Sequence, residues 1–185
     1  LLKIVCKMES IGHKMYRFAG HVFCKIGLVW WTVRDRLSKP QEKAILFVAH
    51  PDDDALFFHA FIKENKPYVV LLFTGWALIR LLDFFKVMKF YGVRFRAYPT
   101  LSAGAYCDKK RRLATEKHIS SCLKTGEFSA VLTHNSSGEY GHSTHRLVHE
   151  SVVNICKNKN CSIICPVEKS KIAGNPLNES FSLLI

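Results

Sequence analysis

The chain has 185 residues, of which 48% are hydrophobic and 23% charged, which is typical of one globular domain and excludes a disordered chain. Its formal net charge is +12, which could attract an anionic membrane surface or an acidic substrate, or serve only solubility. The basic residues form no dense tract, so no nucleic-acid partner is expected. The 7 cysteines show no C-x-x-C spacing, which favours reduced thiols and a cytoplasmic location over a disulfide framework.

Residues 1–39 differ from the rest of the chain. Their apolar side chains recur at steps of three and four residues, which predicts an amphipathic helix ending before Pro40. Two interpretations stay open: the apolar stripe packs on the protein's own core, or it lies on an anionic membrane surface. The stripe consists of Ile4, Met8, Ile11, Met15, Phe18, Val22, Ile26 and Val29.

Residues 40–185 form a second unit, in which predicted strands and helices alternate. Apolar runs predict buried strands at residues 44–49, 68–73, 93–98, 130–133 and 162–165. Predicted helices separate them, at residues 53–65, 77–91, 109–125 and 143–156. This alternation predicts an α/β fold: a Rossmann-like, open, mostly parallel sheet of about five strands with helices on both faces, preceded by the N-terminal amphipathic helix. Ligands of such folds bind beyond the carboxyl ends of the strands.

Three carboxylates and one imidazole directly follow the first predicted strand. They belong to His50, Asp52, Asp53 and Asp54. Three anions packed together are costly unless a cation or solvent compensates them. A divalent metal would do so, and His and Asp are both zinc ligands. The alternative is a solvated turn with a helix cap, since Asp is common where helices begin.

A second polar segment, residues 133–145, follows the fourth predicted strand and opens at the same edge of the sheet. It contains His142 and His145, whose three-residue separation places both imidazoles on one helical face. The alternative for this segment is a pair of partly exposed loop histidines. Together the two segments favour a shared metal site, because neither is explained by core packing.

The two motifs, A-H-P-D-D-D at residues 49–54 and G-E-Y-G-H-S-T-H at residues 138–145, resemble those of a known family. It is the LmbE-like or PIG-L family of zinc-dependent N-acetylglucosaminyl deacetylases, and the resemblance covers roughly residues 44–167. The resemblance implies a hydrolase that removes the acetyl group from an N-acetylated amino sugar or glycoconjugate and releases acetate.

The resemblance also implies roles for individual residues. His50, Asp53 and His145 match the family's zinc ligands, although such a site also accepts other divalent metals. Asp52 matches the general base, and His142 matches the histidine that stabilises the tetrahedral intermediate.

Further residues are candidates for substrate binding. Arg80 is one, although a surface ion pair with Asp83 is an alternative. His134 and Asn135 stand at the end of the fourth strand and are predicted to line the pocket. His149 is expected to be an ordinary surface residue of a helix.

Two other functions stay open at this point. One is a non-catalytic relative that binds metal or carbohydrate. The other is a membrane-surface protein that uses residues 1–39 and the positive net charge; such a protein would be membrane-associated as well as cytoplasmic.

Overall fold

The structure is a computed structural model that describes residues 42–74, 78–98 and 109–167. The helix predicted at residues 1–39 lies outside these ranges. All five predicted strands are present: β1 (Ala44–Val48), β2 (Tyr68–Leu71), β3 (Phe95–Ala97), β4 (Ala130–Leu132) and β5 (Ser162–Ile164). The helices are α1 (Asp53–Phe57), α2 (His59–Asn65), α3 (Leu78–Tyr91), α4 (Lys109–Leu123) and α5 (Ser143–Cys156).

The five strands form one sheet in the order β3-β2-β1-β4-β5. Every neighbouring pair is parallel, so the predicted open α/β sheet is confirmed. Strands β2 and β3 extend the sheet from one side of β1, whereas β4 and β5 extend it from the other. The direction of winding therefore reverses between β1 and β4, which is where open α/β sheets form their ligand crevice.

Helices cover both faces of the sheet because side chains alternate across each strand. In β1, Ile45 and Phe47 join an apolar cluster with residues of α4 and α5. Leu46 and Val48 point to the other face and join a cluster with residues of α2 and α3. All four side chains are fully buried, as expected of a central parallel strand.

One predicted helix is divided in two. The sequence predicts a single helix over residues 53–65, but the chain leaves helical geometry at Phe58, where φ is −128° and ψ is 3°. The Phe58 side chain is buried against the α2 and α3 face of the sheet, whereas Leu56 is 64% exposed. The break between α1 and α2 thus occurs at the residue, Phe58, whose side chain enters the core.

Among the described residues, no helix has both the length and the apolar content needed to cross a membrane.

Candidate metal centre

The two polar segments meet at the reversal point of the sheet. The first segment, residues 49–54, follows β1, and the second segment, residues 133–145, follows the neighbouring strand β4. The backbone N–H of Ala49 donates to Nε2 of His134 at 3.0 Å. This bond joins the segments directly, so the edge predicted from the strand order is also a contact between the two motifs.

Three predicted metal ligands bring their donor atoms to one point. Nδ1 of His50 lies 3.2 Å from Nε2 of His145 and 3.4 Å from a carboxylate oxygen of Asp53. Nε2 of His145 lies 3.3 Å from the other Asp53 oxygen. Ligands about 2.0–2.1 Å from a tetrahedral zinc ion are about 3.3–3.4 Å from one another. The spacing of these atoms therefore fits a zinc ion or a similar divalent metal.

The chemistry of the donor set also fits a cation. Asp53 and His145 are buried, and His50 is half-buried. Lone pairs of two imidazoles and one carboxylate face one another, which is unfavourable unless a proton or a metal lies between them. Two overlapping groups of side chains could hold a metal ion: His50 with His142 and His145, and Asp53 with His134 and His145. His145 belongs to both, whereas His50 and Asp53 belong to one each.

The contacts within the cluster shift the pKa values of Asp53 and His145. Burial would raise the pKa of Asp53, but hydrogen bonds from surrounding histidines hold this pKa well below its usual range. Burial would lower the pKa of His145, but hydrogen bonds to Asp53 and Glu139 raise it to about 9. The metal-free cluster is thus an ionised carboxylate beside a protonated imidazole. A metal ion would replace that proton.

The predicted general base, Asp52, lies beside the cluster and is 39% exposed in its side chain. Its partner is Arg80 of α3, whose guanidinium donates to an Asp52 carboxylate oxygen. The alternative ion pair of Arg80 with Asp83 is not formed, because Asp83 pairs with Lys86 at 3.0 Å instead. Arg80 therefore contacts the first segment through Asp52, and its role in substrate binding stays a prediction.

His142 caps the N-terminus of α5, and its Nδ1 accepts a hydrogen bond from the backbone N–H of Thr144 at 3.3 Å. Accepting this bond requires a lone pair on Nδ1, so the ring proton is on Nε2. Burial and the neighbouring His50 and His145 lower the pKa of His142. The ring is therefore a neutral N–H donor.

Glu139 is a functional candidate that the sequence analysis missed. Its carboxylate oxygen Oε2 is 2.6 Å from Nδ1 of His145 and 3.1 Å from Nδ1 of His134. Burial would raise the pKa of Glu139, but these two hydrogen bonds lower it to about 2. The signal in the sequence was a charged residue between the glycines Gly138 and Gly141 of a motif already singled out.

His134 and Asn135, predicted to bind substrate, lie in the interior at 0% and 8% exposure. The His134 ring stacks on that of His145 with centroids 3.9 Å apart. The Asn135 side-chain oxygen accepts hydrogen bonds from Ser137 and from the Glu139 backbone, both at 2.8 Å. Nε2 of His134 is itself 3.3 Å from an Asp53 oxygen.

His149 is not an ordinary surface residue. Its Nδ1 donates to the backbone carbonyl of His134 at 2.7 Å, and its ring is half-buried. His149 thus holds the chain at the end of β4, directly behind the ring that stacks on His145.

No protein-family model and no curated protein sequence matches this chain. Solved structures with a similar fold are deacetylases. The A40926 pseudoaglycone deacetylase is 15% identical, with a TM-score of 0.59 over 74% of this chain and 68% of that one. The teicoplanin complex of a deacetylase from teicoplanin biosynthesis is 14% identical, with a TM-score of 0.54 over 66% and 68%.

A third similar structure is the zinc-inhibited form of a teicoplanin deacetylase. It is 13% identical, with a TM-score of 0.53 over 73% of this chain and 72% of that one. At such low identities the likeness shows a shared fold alone. One fold can host many unrelated activities. Any functional conclusion must come from the residues of the site.

Proposed function

We propose that this protein is a metal-dependent N-deacetylase of the LmbE-like or PIG-L family, which hydrolyses the acetamide of an N-acetylated amino sugar. One observation carries the proposal. Ring nitrogens of His50 and His145 lie 3.2 Å apart, and each lies 3.3–3.4 Å from one of the two carboxylate oxygens of Asp53. The preceding residue in the chain, Asp52, has a partly exposed carboxylate. Three protein ligands with a nearby carboxylate are the arrangement of a hydrolytic zinc site, which keeps one position open.

When bound, a zinc ion supplies Lewis acidity that polarises the acetamide carbonyl and favours ionisation of water. Asp52 accepts a proton from the attacking water, whose oxygen forms a bond to the carbonyl carbon. The carbon–nitrogen bond then breaks, and the proton held by Asp52 passes to the departing nitrogen. The immediate products are acetic acid and a free amine, so atoms and charge balance, and the acid then ionises to acetate by losing its proton to the amine or to water.

His142 stabilises the negative charge that develops on the carbonyl oxygen. Its Nδ1 is occupied by the N–H of Thr144, so Nε2–H is the group that donates to this oxygen. The ring donates in its neutral form, because its pKa is lowered by burial and neighbouring imidazoles.

Arg80 binds the substrate in this proposal. Its side chain is 53% exposed and contacts Asp52. On substrate binding the guanidinium turns to a sugar oxygen and leaves Asp52 free to accept a proton. His134 and Asn135 are too buried to present much surface to a sugar, so we assign them to holding the ligands in place.

The structural neighbours support the proposal at the level of fold. One was solved as a teicoplanin complex, and another is named as a zinc-inhibited form. The zinc inhibition named for that neighbour is a reason to test this protein at one equivalent of zinc as well as in excess, and with cobalt as an alternative metal.

The test is acetate release from N-acetylglucosamine conjugates by the metal-loaded protein. Asp52→Asn should lower kcat roughly 10²–10⁴-fold while metal content stays unchanged, since general-base catalysis contributes this much. Asp83→Asn is the matched control, because this exposed carboxylate contacts Lys86 and lies on α3. Undiminished activity of the Asp52 variant would refute the assigned base.

The ion pair between Arg80 and Asp52 favours one alternative, a non-catalytic relative that binds metal or carbohydrate. In such a protein Asp52 would be neutralised permanently by Arg80. It would bind one metal ion and release no acetate from any acetylated sugar, and Arg80→Ala would not change that result.

A further inference from the structure

We propose that Glu139 is a positioning residue, which selects the ring tautomer of His145 that leaves Nε2 available to a metal. The inference rests on the proposed metal site and goes beyond it, because it concerns a residue with no place among the ligands or in the proton transfers. Glu139 is almost fully buried, with 7% of its side chain exposed.

The loop around Asn135 holds the Glu139 carboxylate in place. Its Oε1 accepts the backbone N–H of Asn135 at 2.9 Å, and the Asn135 side-chain oxygen accepts the backbone N–H of Glu139 at 2.8 Å. This reciprocal pair closes the loop on itself. It keeps Glu139 in a left-handed conformation with φ of 58°, which side chains rarely adopt without such support.

The second step concerns the protons on His134. Its Nε2 accepts the backbone N–H of Ala49 at 3.0 Å. A neutral imidazole has one N–H and one lone pair, so the proton of His134 is on Nδ1. That Nδ1 lies 3.1 Å from Oε2 of Glu139, which is the distance of an N–H donor to a carboxylate oxygen.

The third step concerns His145. Its Nδ1 lies 2.6 Å from the same Glu139 oxygen, and a carboxylate oxygen only accepts hydrogen bonds. Nδ1 of His145 therefore carries a proton. In the neutral ring Nε2 then has a lone pair, and this atom lies 3.2 Å from Nδ1 of His50. A ligand histidine commonly donates its second N–H to a carboxylate, which fixes the tautomer and the ring orientation.

Sharing one oxygen also aligns the two rings. The centroids of His134 and His145 are 3.9 Å apart, with an interplanar angle of 18°. Because His134 is held by Ala49 at the end of β1, Glu139 transmits the position of β1 to a ligand on α5. Glu139 thereby fixes the position of His145 relative to the ligands that follow β1, His50 and Asp53.

The experiment compares Glu139→Gln with Glu150→Gln. Glu150→Gln is the same chemical change at a position on α5. The Glu150 side chain is 52% exposed and pairs with Arg112. We expect Glu139→Gln to weaken the Kd for zinc by about 10–100-fold, the usual effect of removing the partner of a ligand histidine. Glu150→Gln should bind zinc as the wild type does.

A second readout separates positioning from loss of fold. The visible spectrum of the cobalt-loaded protein reports ligand geometry, and we expect it to change in Glu139→Gln while Tm in the presence of chelator stays within a few degrees. If the amide variant does not fold, Glu139→Asp takes its place. It keeps the carboxylate, one methylene shorter, and should bind zinc with intermediate Kd.

Equal zinc Kd and an unchanged cobalt spectrum in the folded Glu139 variants would overturn this proposal. The proposed deacetylase activity fails by a different result, which is a wild-type protein that binds zinc but releases no acetate. In that case the effect of Glu139 on zinc Kd would still be observed.

Discussion

The first and second segments of the candidate site both contain internal hydrogen bonds, and in the first the backbone N–H of His50 donates to Asp53 at 2.6 Å, but the two segments differ in their charged groups. The second segment is bonded to itself: Gly138 donates to the carbonyl of Asn135, and His142 donates to the carbonyl of Gly138, both at 3.1 Å. In the first segment, the pKa values of two neighbouring carboxylates shift in opposite directions. The pKa of Asp53, surrounded by histidines, is lowered, whereas burial raises the pKa of Asp54 to about 6.

This difference shows where the order of the site originates. His145, which belongs to the second segment, donates to Asp53 and helps to lower its pKa. Asp54 is 1% exposed, and its Oδ2 has no hydrogen-bond partner in the described part of the chain. The first segment supplies carboxylates, and contacts with the second help to keep one of them, Asp53, ionised.

Among the tests of this contrast between segments, the first distorts the second segment. A Cβ at Gly138 would lie 2.5 Å from the backbone oxygen of His142, and φ is +76° there. Gly138→Ala must therefore displace the backbone of His142. We expect acetate release to fall roughly 10–100-fold, since misplacing a catalytic group by about 1 Å costs this much.

Gly92→Ala is the matched control for that substitution. Its φ is also left-handed, at +65°, but a Cβ there would meet nothing within 4 Å. It should cost about 1–2 kcal/mol of folding free energy and leave acetate release unchanged. Equal activity loss in both variants would show that general backbone strain, not the position of His142, is responsible.

Asp54→Asn sharpens the contrast within the first segment. The folded pKa of Asp54 is raised from 3.8 to about 6, so the protonated acid is the form that the fold favours. The stabilisation of the folded state by protonated Asp54 is fully present below pH 3.8 and is lost as pH rises through about 6. At pH 7.5 the lost contribution is about 3 kcal/mol.

The measurement is urea unfolding of the chelator-treated protein between pH 4 and 8, an interval set by the shift of Asp54. The difference in unfolding free energy, variant minus wild type, should increase with pH by up to about 3 kcal/mol. The amide also buries a polar group, so the pH dependence is the readout, not the value at one pH. A difference that stays constant would contradict the assigned pKa.

The last test probes a thiol that the charge of Glu139 affects. Sγ of Cys165 lies 3.7 Å from Nδ1 of His149, and burial raises the pKa of this thiol from 9.0 to about 11, helped by Glu139. Only the thiolate is nucleophilic. At pH 8 we therefore expect iodoacetamide to label Cys165 about 100-fold more slowly than a model thiol of ordinary pKa.

Peptide mass spectrometry after timed labelling measures this rate. Labelling of Cys165 should accelerate in Gly138→Ala, because displacing the neighbouring Glu139 would weaken the effect of its negative charge on the thiol pKa. Labelling of wild-type Cys165 at the rate of the model thiol would mean that the second segment does not shield it.

Much of the fold could be predicted from local sequence. Apolar runs such as 44–49 and 68–73 each contain one buried strand, and helix α5 has the bounds predicted for it. The pattern identified these elements because burial dictates apolar residues whatever their partners are. Phe58 was different, since the break between α1 and α2 accompanies a core contact that no local pattern records.

The sequence by itself determined which side chains stand at the ends of β1 and β4, and therefore that His50, Asp53 and His145 share one edge of the sheet. Only the tertiary structure decided how they are held. Glu139 bonds His145 across six residues, and Ala49 bonds His134 across 85. Motif spacing records the type of each residue, whereas ring tautomers and pKa values depend on atoms that meet only after folding.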